Sequence, residues 1–588
     1  MEKKDYPGGP LRNIKRYTAI PLMLEASALK YDTRAFMRER SMDGKVREVS
    51  FHEIMELAHD FARGLIDSAG SSPIVAVSGK NCIDWAVTFL GTLCAGGIVV
   101  PIDRELPAAD ISGILHYSGA TVFVFDSSME EELSDHIHSG KSACSRHFVM
   151  NGTGSGRFSS FDLIVSAGRG SPAELPQPQN QSDTAVISYT SGTMGAAKGV
   201  VLSHGNILSD LQMMLASVYI ASDEVFLSVL PFHHMYECVC GFLCPLQHGC
   251  TVAISRGLRD ILEDLSLNNV TMVLGVPLLW EGMYRRIMEQ IQSIRGGSFK
   301  FAMGKAICST LELMGNKGIR KKVFSQVHNK FGGKLRTLIS GGAALDATVM
   351  KGFRDLGIRM LQGYGLTECS PIVAVCRYDV SPEGTVGPPL PEVEVRIEEA
   401  DSEGAGEIFV RGPNVMQGYH NNPEATQAVL SPDGWFRTGD FGILRDGVLT
   451  VTGRKKNIIV AKNGKNVYPE EIEHQLNRSS HVVESLVFGR ETETKGEEIW
   501  TIIFPDYDAL IELAENQGQK LTEEFGMGVI RQVIRSVNKH NPSYKRISNF
   551  ILRETEFPKT TTRKIRRPQV LREAGLMTGR VFSVAESS

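Results

Sequence analysis

A chain of 588 residues exceeds what one hydrophobic core organises, so two or more domains are expected. Its net charge of -4 is small for that length, which leaves no global attraction to polyanions and argues against nucleic acid as a partner. Ten cysteines lie scattered, and no charged-then-apolar leader precedes "DYPGGPLRNI", so reduced thiols in a cytoplasmic setting are expected rather than a disulfide framework.

From Pro73, "PIVAVSG", "KNCIDWAVTFLGTLCAGG" and "IVVPID" read as strand, helix and strand. The run "GTLCAGGIVVP" is too short and too glycine-rich to cross a bilayer. "ATVFVFD", "EVFLSVLPF", "VTMVLGVP" and "LRTLISGG" repeat the pattern of an apolar run, turn residues and a helical stretch, which predicts an α/β class with a largely parallel sheet. Between them, "PAELPQPQNQS" at 172–182 reads as a polar connector.

The strongest local signal is "VISYTSGTMGAAKGVVLSH", from Val186 to His204. Small residues with free backbone N–H groups can wrap phosphate oxygens, hydroxyls add donors, and Lys198 adds a point charge, so a nucleoside triphosphate is the natural ligand. Lys198 sits between Ala197 and Gly199, so the Ser/Thr that follows the lysine of a Walker loop is missing. Further on, Cys238, Cys240, Cys244 and Cys250 lie in an apolar stretch; their spacing is not a usual zinc pattern, and buried small hydrophobes are the favoured reading.

Phe299 to Arg336 carries nine Lys/Arg against one acid, Glu312. A solvated helical surface is the bland reading of such a run, and attraction to anionic lipid the sharper one. After Ala400 the texture changes: "GEIFVRG" and "GVLTVTG" read as short strands of a β-rich subdomain, and a smaller α/β segment follows from Lys456. Near the end "FPKTTTRKIRR" clusters five cations, which in isolation is a basic patch.

Taken in order, these motifs resemble the acyl-adenylate-forming (AMP-binding) superfamily, whose style here is most like that of bacterial long-chain acyl-CoA synthetases. "YTSGTMGAAKG" is similar to its phosphate-loop signature, with Met194 where Thr is common and Ala197 where Pro is common. "PFHHMYE" resembles the motif whose histidine lines the acyl and thiol channel, favouring His234 over His233. "ISGGAAL", "LQGYGLTE", "GEIFVRGPNVMQGY", "WFRTGD", "GRKKNIIVAKNGKNVYPEEIE" and "FPKTTTRKI" follow in the family's order.

The resemblance implies a large N-terminal domain, 1–455, of two parallel-rich α/β subdomains and a small β subdomain, and a mobile smaller α/β domain, 456–588. It implies ATP contacts from Thr190, Ser191, Gly192, Thr193, Lys198, Gly341, Gly342, Ala343, Gln362, Gly363, Tyr364, Gly365 and Thr367, with Tyr364 on adenine and Thr367 at the α-phosphate. Glu368 would hold magnesium, Asp440 and Arg454 the ribose. Lys456 would be the hinge, Gly464 would join His234 at the CoA channel, and Lys564 would be the catalytic lysine, preceded by Arg563 in place of the customary glycine. Lys559, Arg566 and Arg567 are then read as local surface or phosphate-side support.

The reaction implied is ATP-dependent activation of a carboxylic acid to acyl-AMP with loss of pyrophosphate, then transfer to the thiol of CoA. No charged partner for a polar tail stands in "GVPLLW" or the cysteine stretch, which favours a medium- or long-chain fatty acid. The alternatives are transfer to the phosphopantetheine of an acyl carrier protein and, from another class, a nucleotide-binding or membrane-docking protein without turnover. Cytoplasmic location with peripheral contact at the inner membrane face fits the first of these readings.

Overall fold

The computed structural model describes residues 10–40, 44–137, 144–154, 158–177, 180–190, 198–316, 318–377, 381–461, 464–491, 497–560, 564–576 and 582–583. Ser191, Gly192, Thr193, Met194, Ala197 and Arg563 lie outside them. The chain forms two compact units: the first takes Met1–Val395, Val410–Phe436 and Arg445–Leu449, the second Arg396–Phe409, Arg437–Leu444 and Thr450–Ser588.

The first unit holds two eight-stranded sheets. The predicted strand–helix–strand at Pro73 is present as Ile74–Ser78, Ile83–Cys94 and Ile98–Ile102, with Ile74 paired in parallel to Ile98. Every residue of that largely apolar helix is buried, and its one charged residue, Asp84, is paired with Arg47. Val122–Asp126 is likewise buried at each position, the pattern of a parallel strand covered on both faces. Thr184–Thr190 and Lys198–Ser203 extend this sheet as an antiparallel pair, and Gly418–Tyr419 adds to its edge.

In the other sheet six parallel strands run in the order Arg359–Gly365, Thr337–Ser340, Met272–Gly275, Val225–Ser228, Thr251–Ile254, Ala35–Arg40, with an antiparallel strand at each end. Beside it, Trp85, Phe89, Phe232 and Phe242 form an aromatic cluster, with ring centroids 5.2 Å apart for Trp85–Phe232 and 5.3 Å for Phe232–Phe242. All four are essentially inaccessible to solvent. Burying each such ring contributes roughly 1.5–3 kcal/mol, and because Phe232 immediately precedes His233 the cluster anchors the histidine loop.

Within the second unit a four-stranded sheet comprises Val482–Glu491, Glu497–Pro505, Ile547–Leu552 and Phe582–Ser583. Helices Pro469–Asn477 and Glu523–His540 bury Ile472, Leu476, Ile530 and Ile534 in the same core as Val487 and Ile503. The predicted short strands "GEIFVRG" and "GVLTVTG" are Gly406–Arg411 and Val448–Arg454 in a further four-stranded sheet. All ten cysteines are buried, and none is in a disulfide. Among the described residues no helix is long and apolar enough to cross a membrane.

Candidate nucleotide and acyl site

Four adjacent parallel strands of the first unit end in predicted site residues. Ser228 leads to the histidine loop, Gly275 to "VPLLW", Ser340 to Gly341–Ala343, and Gly365 to Thr367–Glu368. The register pairs Gly275 with Ser340 and Ser340 with Gln362, so these turns emerge side by side at the carboxyl edge. In open α/β sheets that edge is where ligands bind.

The glycines there serve close approach. A Cβ on Gly341 would lie 2.8 Å from the Tyr236 ring, and one on Gly275 would lie 2.4 Å from Trp280. The Gly341 amide donates to the Gly275 carbonyl at 3.1 Å, tying the two turns together. Gly342 has φ +82°, a conformation that favours glycine. Gly365 faces the Pro371 carbonyl so closely that a Cβ would stand 1.8 Å from its oxygen. Tyr364, Thr367 and Glu368 are all half-buried, and Gln362 is buried with its Oε1 lacking a partner among the described residues.

The turn that carries Thr367 and Glu368 is held from beneath. Asn414 Nδ2 donates to the carbonyls of Cys369 and Ile372, Ser370 Oγ donates to the Asn414 carbonyl, and the Ile372 amide donates to buried Asp210. Burial raises the Asp210 carboxyl well above the usual carboxylate range.

Tyr419 was not anticipated as a site residue. Its hydroxyl donates to Glu368 Oε1 at 3.0 Å, and the Lys198 ammonium lies 4.8 Å over its ring, so one tyrosine links the loop lysine to the carboxylate. The backbone sets this up: Tyr419 pairs with Val200, and the His420 amide donates to the Gly199 carbonyl. The signal was available, because Tyr419 ends "GEIFVRGPNVMQGY", one of the motifs that follow in the family's order. Thr190 faces Lys198 across the strand pair that flanks the loop.

The two histidines differ. His233 is buried and its Nε2 lies 3.7 Å from Asp103; burial, with Arg104 adding to it, lowers its imidazolium to about 3, so it is neutral. His234 is half-buried. Asn81, also unanticipated, fixes the loop by accepting from the Phe232 amide and donating to Ser228 Oγ and the Leu230 carbonyl. Behind it Glu237 accepts from Ser228 Oγ at 2.6 Å, and burial pushes its carboxyl up to about 8.

In the second unit Arg454 Nε lies 3.3 Å from Asp440 Oδ1, and Asp440 is buried. Lys564 presents surface to solvent, yet its ammonium is lowered to about 8, first by desolvation and then by Arg454, with Asp440 opposing. Desolvation and Arg454 also lower Lys456, with Asp440 again opposing. Gly464 has φ +77° and open space at its α-carbon, where only glycine is unstrained.

Lys559 departs from its reading as a surface or phosphate-side residue. Its side chain is 9% exposed and pairs with Glu484 at 2.6 Å and Glu556 at 2.9 Å. Arg567 pairs with Glu473 at 2.7 Å and donates to the Val487 carbonyl. Both cations therefore close the base of the loop, and Lys564 is the cation of that cluster set against Asp440 and Arg454.

Glycine turns at parallel strand ends, with a lysine and a carboxylate joined through one tyrosine, place the chain in the class of α/β nucleotide-binding proteins. Comparison with known proteins narrows the class. The AMP-binding enzyme family matches residues 24–420, and the AMP-binding enzyme C-terminal domain matches residues 456–574. The chain belongs to the AMP-binding enzyme family.

Among its relatives, the long-chain-fatty-acid–CoA ligase FadD15 of Mycobacterium bovis is 31% identical over 77% of this chain and 77% of its own length. The long-chain-fatty-acid–[acyl-carrier-protein] ligase AEE15 of Arabidopsis thaliana is 27% identical over 86% of this chain and 79% of its own. The fold is shared with the anthranilate CoA ligase AuaEII in complex with anthranoyl-AMP (TM-score 0.77, 19% identity, 96% of this chain and 98% of that one). It is also shared with ATP-bound MatB of Rhodopseudomonas palustris (TM-score 0.74, 23% identity, 94% and 98%).

Proposed function

We propose that the protein is an acid–thiol ligase that activates a medium- or long-chain fatty acid with ATP and transfers the acyl group to CoA. The observation that carries this reading is the set Lys198, Tyr419 and Glu368 beside the strand-end turns of Gly341–Gly342 and Tyr364–Thr367. Family membership and ligase relatives support it.

A fatty carboxylate is already ionised at neutral pH, so no general base is required. Its oxygen forms a bond to the α-phosphorus as the bond to pyrophosphate breaks, giving acyl-AMP. Anion meets anion in that step, so positive charge is the main contribution asked of the protein. Lys198 is assigned to the β- and γ-phosphates, Lys564 to the acyl carboxylate and α-phosphate, Asp440 and Arg454 to the ribose, and Tyr364 to the adenine. The thiol sulfur then bonds to the acyl carbon and AMP leaves with the oxygen that the carboxylate contributed.

Magnesium fits the donor set. Among the described residues no group of three or more His, Cys, Asp or Glu is placed to hold a metal, and Glu368 offers one carboxylate steadied by Tyr419. One carboxylate with phosphate oxygens and water is the usual protein share of a magnesium site. When bound, the ion supplies charge neutralisation at the phosphates.

Lys456 is assigned as the hinge between domains 1–455 and 456–588, and His234 and Gly464 to the CoA channel. Peripheral contact with a membrane belongs to the same reading, since a long-chain acid partitions into lipid. The test is a panel of straight-chain acids of graded length, reading pyrophosphate release with and without CoA. Release that rises with chain length and acyl-CoA formation are expected; release indifferent to added acid would sink the reading. An acyl-carrier acceptor is favoured by the similarity to AEE15, and parallel assays with CoA and holo-carrier decide between the thiols.

A further inference from the structure

The helix Gly297–Leu313 turns its apolar side outward. Phe299 is 72% exposed, Met303 48%, Ile307 45% and Leu313 90%, and Met314 follows at 77%. Positions 299, 303, 307, 313 and 314 recur at helical spacing and so form one stripe. The opposite side makes the internal contacts: Gly297, Gly304 and Cys308 are buried, and Phe301 meets Phe324 at 5.5 Å. A helix that packs through glycines while exposing Phe, Met, Ile and Leu inverts the usual arrangement, and a contiguous apolar surface of this kind marks an interaction site.

The charges identify what it meets. Arg295 and Lys300 flank the start of the stripe, and Lys321 and Lys322 stand on the neighbouring helix Ile319–Val323; all four are exposed, with no ion pair among the described residues. The nearby acids are engaged elsewhere, Glu312 with Arg320 and Asp355 with Arg320, Lys305 and Lys351. A second copy of this chain would bring like charges together across the stripe. An anionic lipid surface meets both the cations and the apolar residues.

We propose that the helix Gly297–Leu313 is the membrane-docking element of the protein, lying in the interface of an anionic bilayer with Phe299, Met303, Ile307, Leu313 and Met314 among the acyl chains. This rests on the ligase reading for its purpose. The preceding helix, Pro277–Ser293, begins at the strand end Gly275, where Trp280 packs, and runs for 17 residues, about 25 Å at 1.5 Å per residue, toward the stripe. One helical hairpin thus connects the strand-end site to the docking surface, and the acid is taken from the bilayer rather than from water.

The test compares the full-length protein with F299D/I307D/L313D, whose positions are exposed and outside the nucleotide and acyl site. Sedimentation with phosphatidylglycerol-containing vesicles should retain the wild type, at least tenfold more than phosphatidylcholine vesicles do, and should lose the variant. The variant should keep its turnover of a short, water-soluble acid and show at least a tenfold higher apparent KM for a long-chain acid supplied in vesicles. Equal vesicle retention of both proteins would overturn the proposal, as would a wild-type dimer that the variant dissolves without any vesicle binding. Failure of the ligase reading looks different: no acid of any length would release pyrophosphate, whatever the vesicles retain.

Discussion

In the first unit the predicted nucleotide residues follow directly from strands hydrogen-bonded on both sides, and buried groups such as Asn414 and Asp210 fix the turns that carry them. In the second unit Lys564 sits instead on a loop, closed at its base by Lys559–Glu484 and Arg567–Glu473 and bonded locally through Thr560. The first arrangement suits groups that must hold a polyphosphate in one place. The second suits a single charge that must be delivered and withdrawn. On the proposed reading, mutations in the two regions should fail in different ways.

The largest effect is expected at Lys564. On the proposed assignment, replacing it by alanine removes one charge that would face the transition state, so adenylation should fall by about 10²–10³, with thioester formation from supplied acyl-AMP retained. Thermal stability should not fall, because desolvation disfavours the charged side chain in the fold. Equal loss of both half-reactions would remove Lys564 from its assigned step. At Lys456, the proposed hinge, the pattern reverses: Lys456→Pro, by fixing φ near -65°, should abolish thioester formation and leave adenylate formation standing. Rapid-quench measurement of acyl-AMP and acyl-CoA separates the two outcomes.

Lys559 is the internal control, five residues from Lys564 in the same basic cluster. Lys559→Ala leaves Glu484, 4% exposed, without its cation, which costs about 3–5 kcal/mol for a buried pair broken on one side. Denaturant unfolding should register that loss, and adenylation per folded molecule should be spared. A Lys559→Ala protein with wild-type stability and dead chemistry would reverse the roles given to the two lysines.

This pair also marks what was legible in the sequence. The strand–helix alternation gave the parallel sheets, because strands such as Val122–Asp126 are apolar throughout and their period is unambiguous. The order of the motifs gave the strand-end turns. Which cation of "FPKTTTRKIRR" is buried was not legible, since it depends on Glu484 and Glu473, some 75 to 95 residues earlier in the chain. Tyr419 escaped for the same reason: its link to Glu368 spans 51 residues and is made by the pairing of Gly418–Tyr419 with Val200–Val201. The outward stripe of Gly297–Leu313 was half legible, because the sequence showed its charge while only packing decides which side of the helix faces water.

A smaller effect tests the rigid side of the comparison at Tyr419. Tyr419→Phe keeps the ring beneath Lys198 and removes the hydroxyl from Glu368. A hydrogen bond to a charged group is worth about 1.5–3 kcal/mol, so a roughly ten- to hundredfold higher magnesium concentration for half-maximal adenylation is expected, with the ATP KM nearly constant. A magnesium titration of initial rates, begun from chelator-stripped protein, reads the difference, and coincident curves would leave Tyr419 as a packing residue.

The smallest expected effect lies deeper in the same unit, at Glu237. Its carboxyl, pushed up to about 8 by burial and bonded only through Oε1 to Ser228, stays protonated where an exposed glutamate would be ionised. Between the ordinary carboxylate range and pH 8 the folded state thus holds a proton that the unfolded chain gives up. Stability contributed by the neutral form is full at low pH and drains away as pH rises through that window. Glu237→Gln keeps the shape against Gly241 and the acceptor for Ser228 while abolishing the titration. The melting temperature of the variant should match the wild type near pH 5 and exceed it by about 2–4 °C near pH 8. Parallel melting curves across that range would mean that Glu237 is already ionised in the fold. In that case the histidine loop would rest on a buried charge, and the contrast between a neutral buried floor in the first unit and an ion-paired loop base in the second would lose one of its supports.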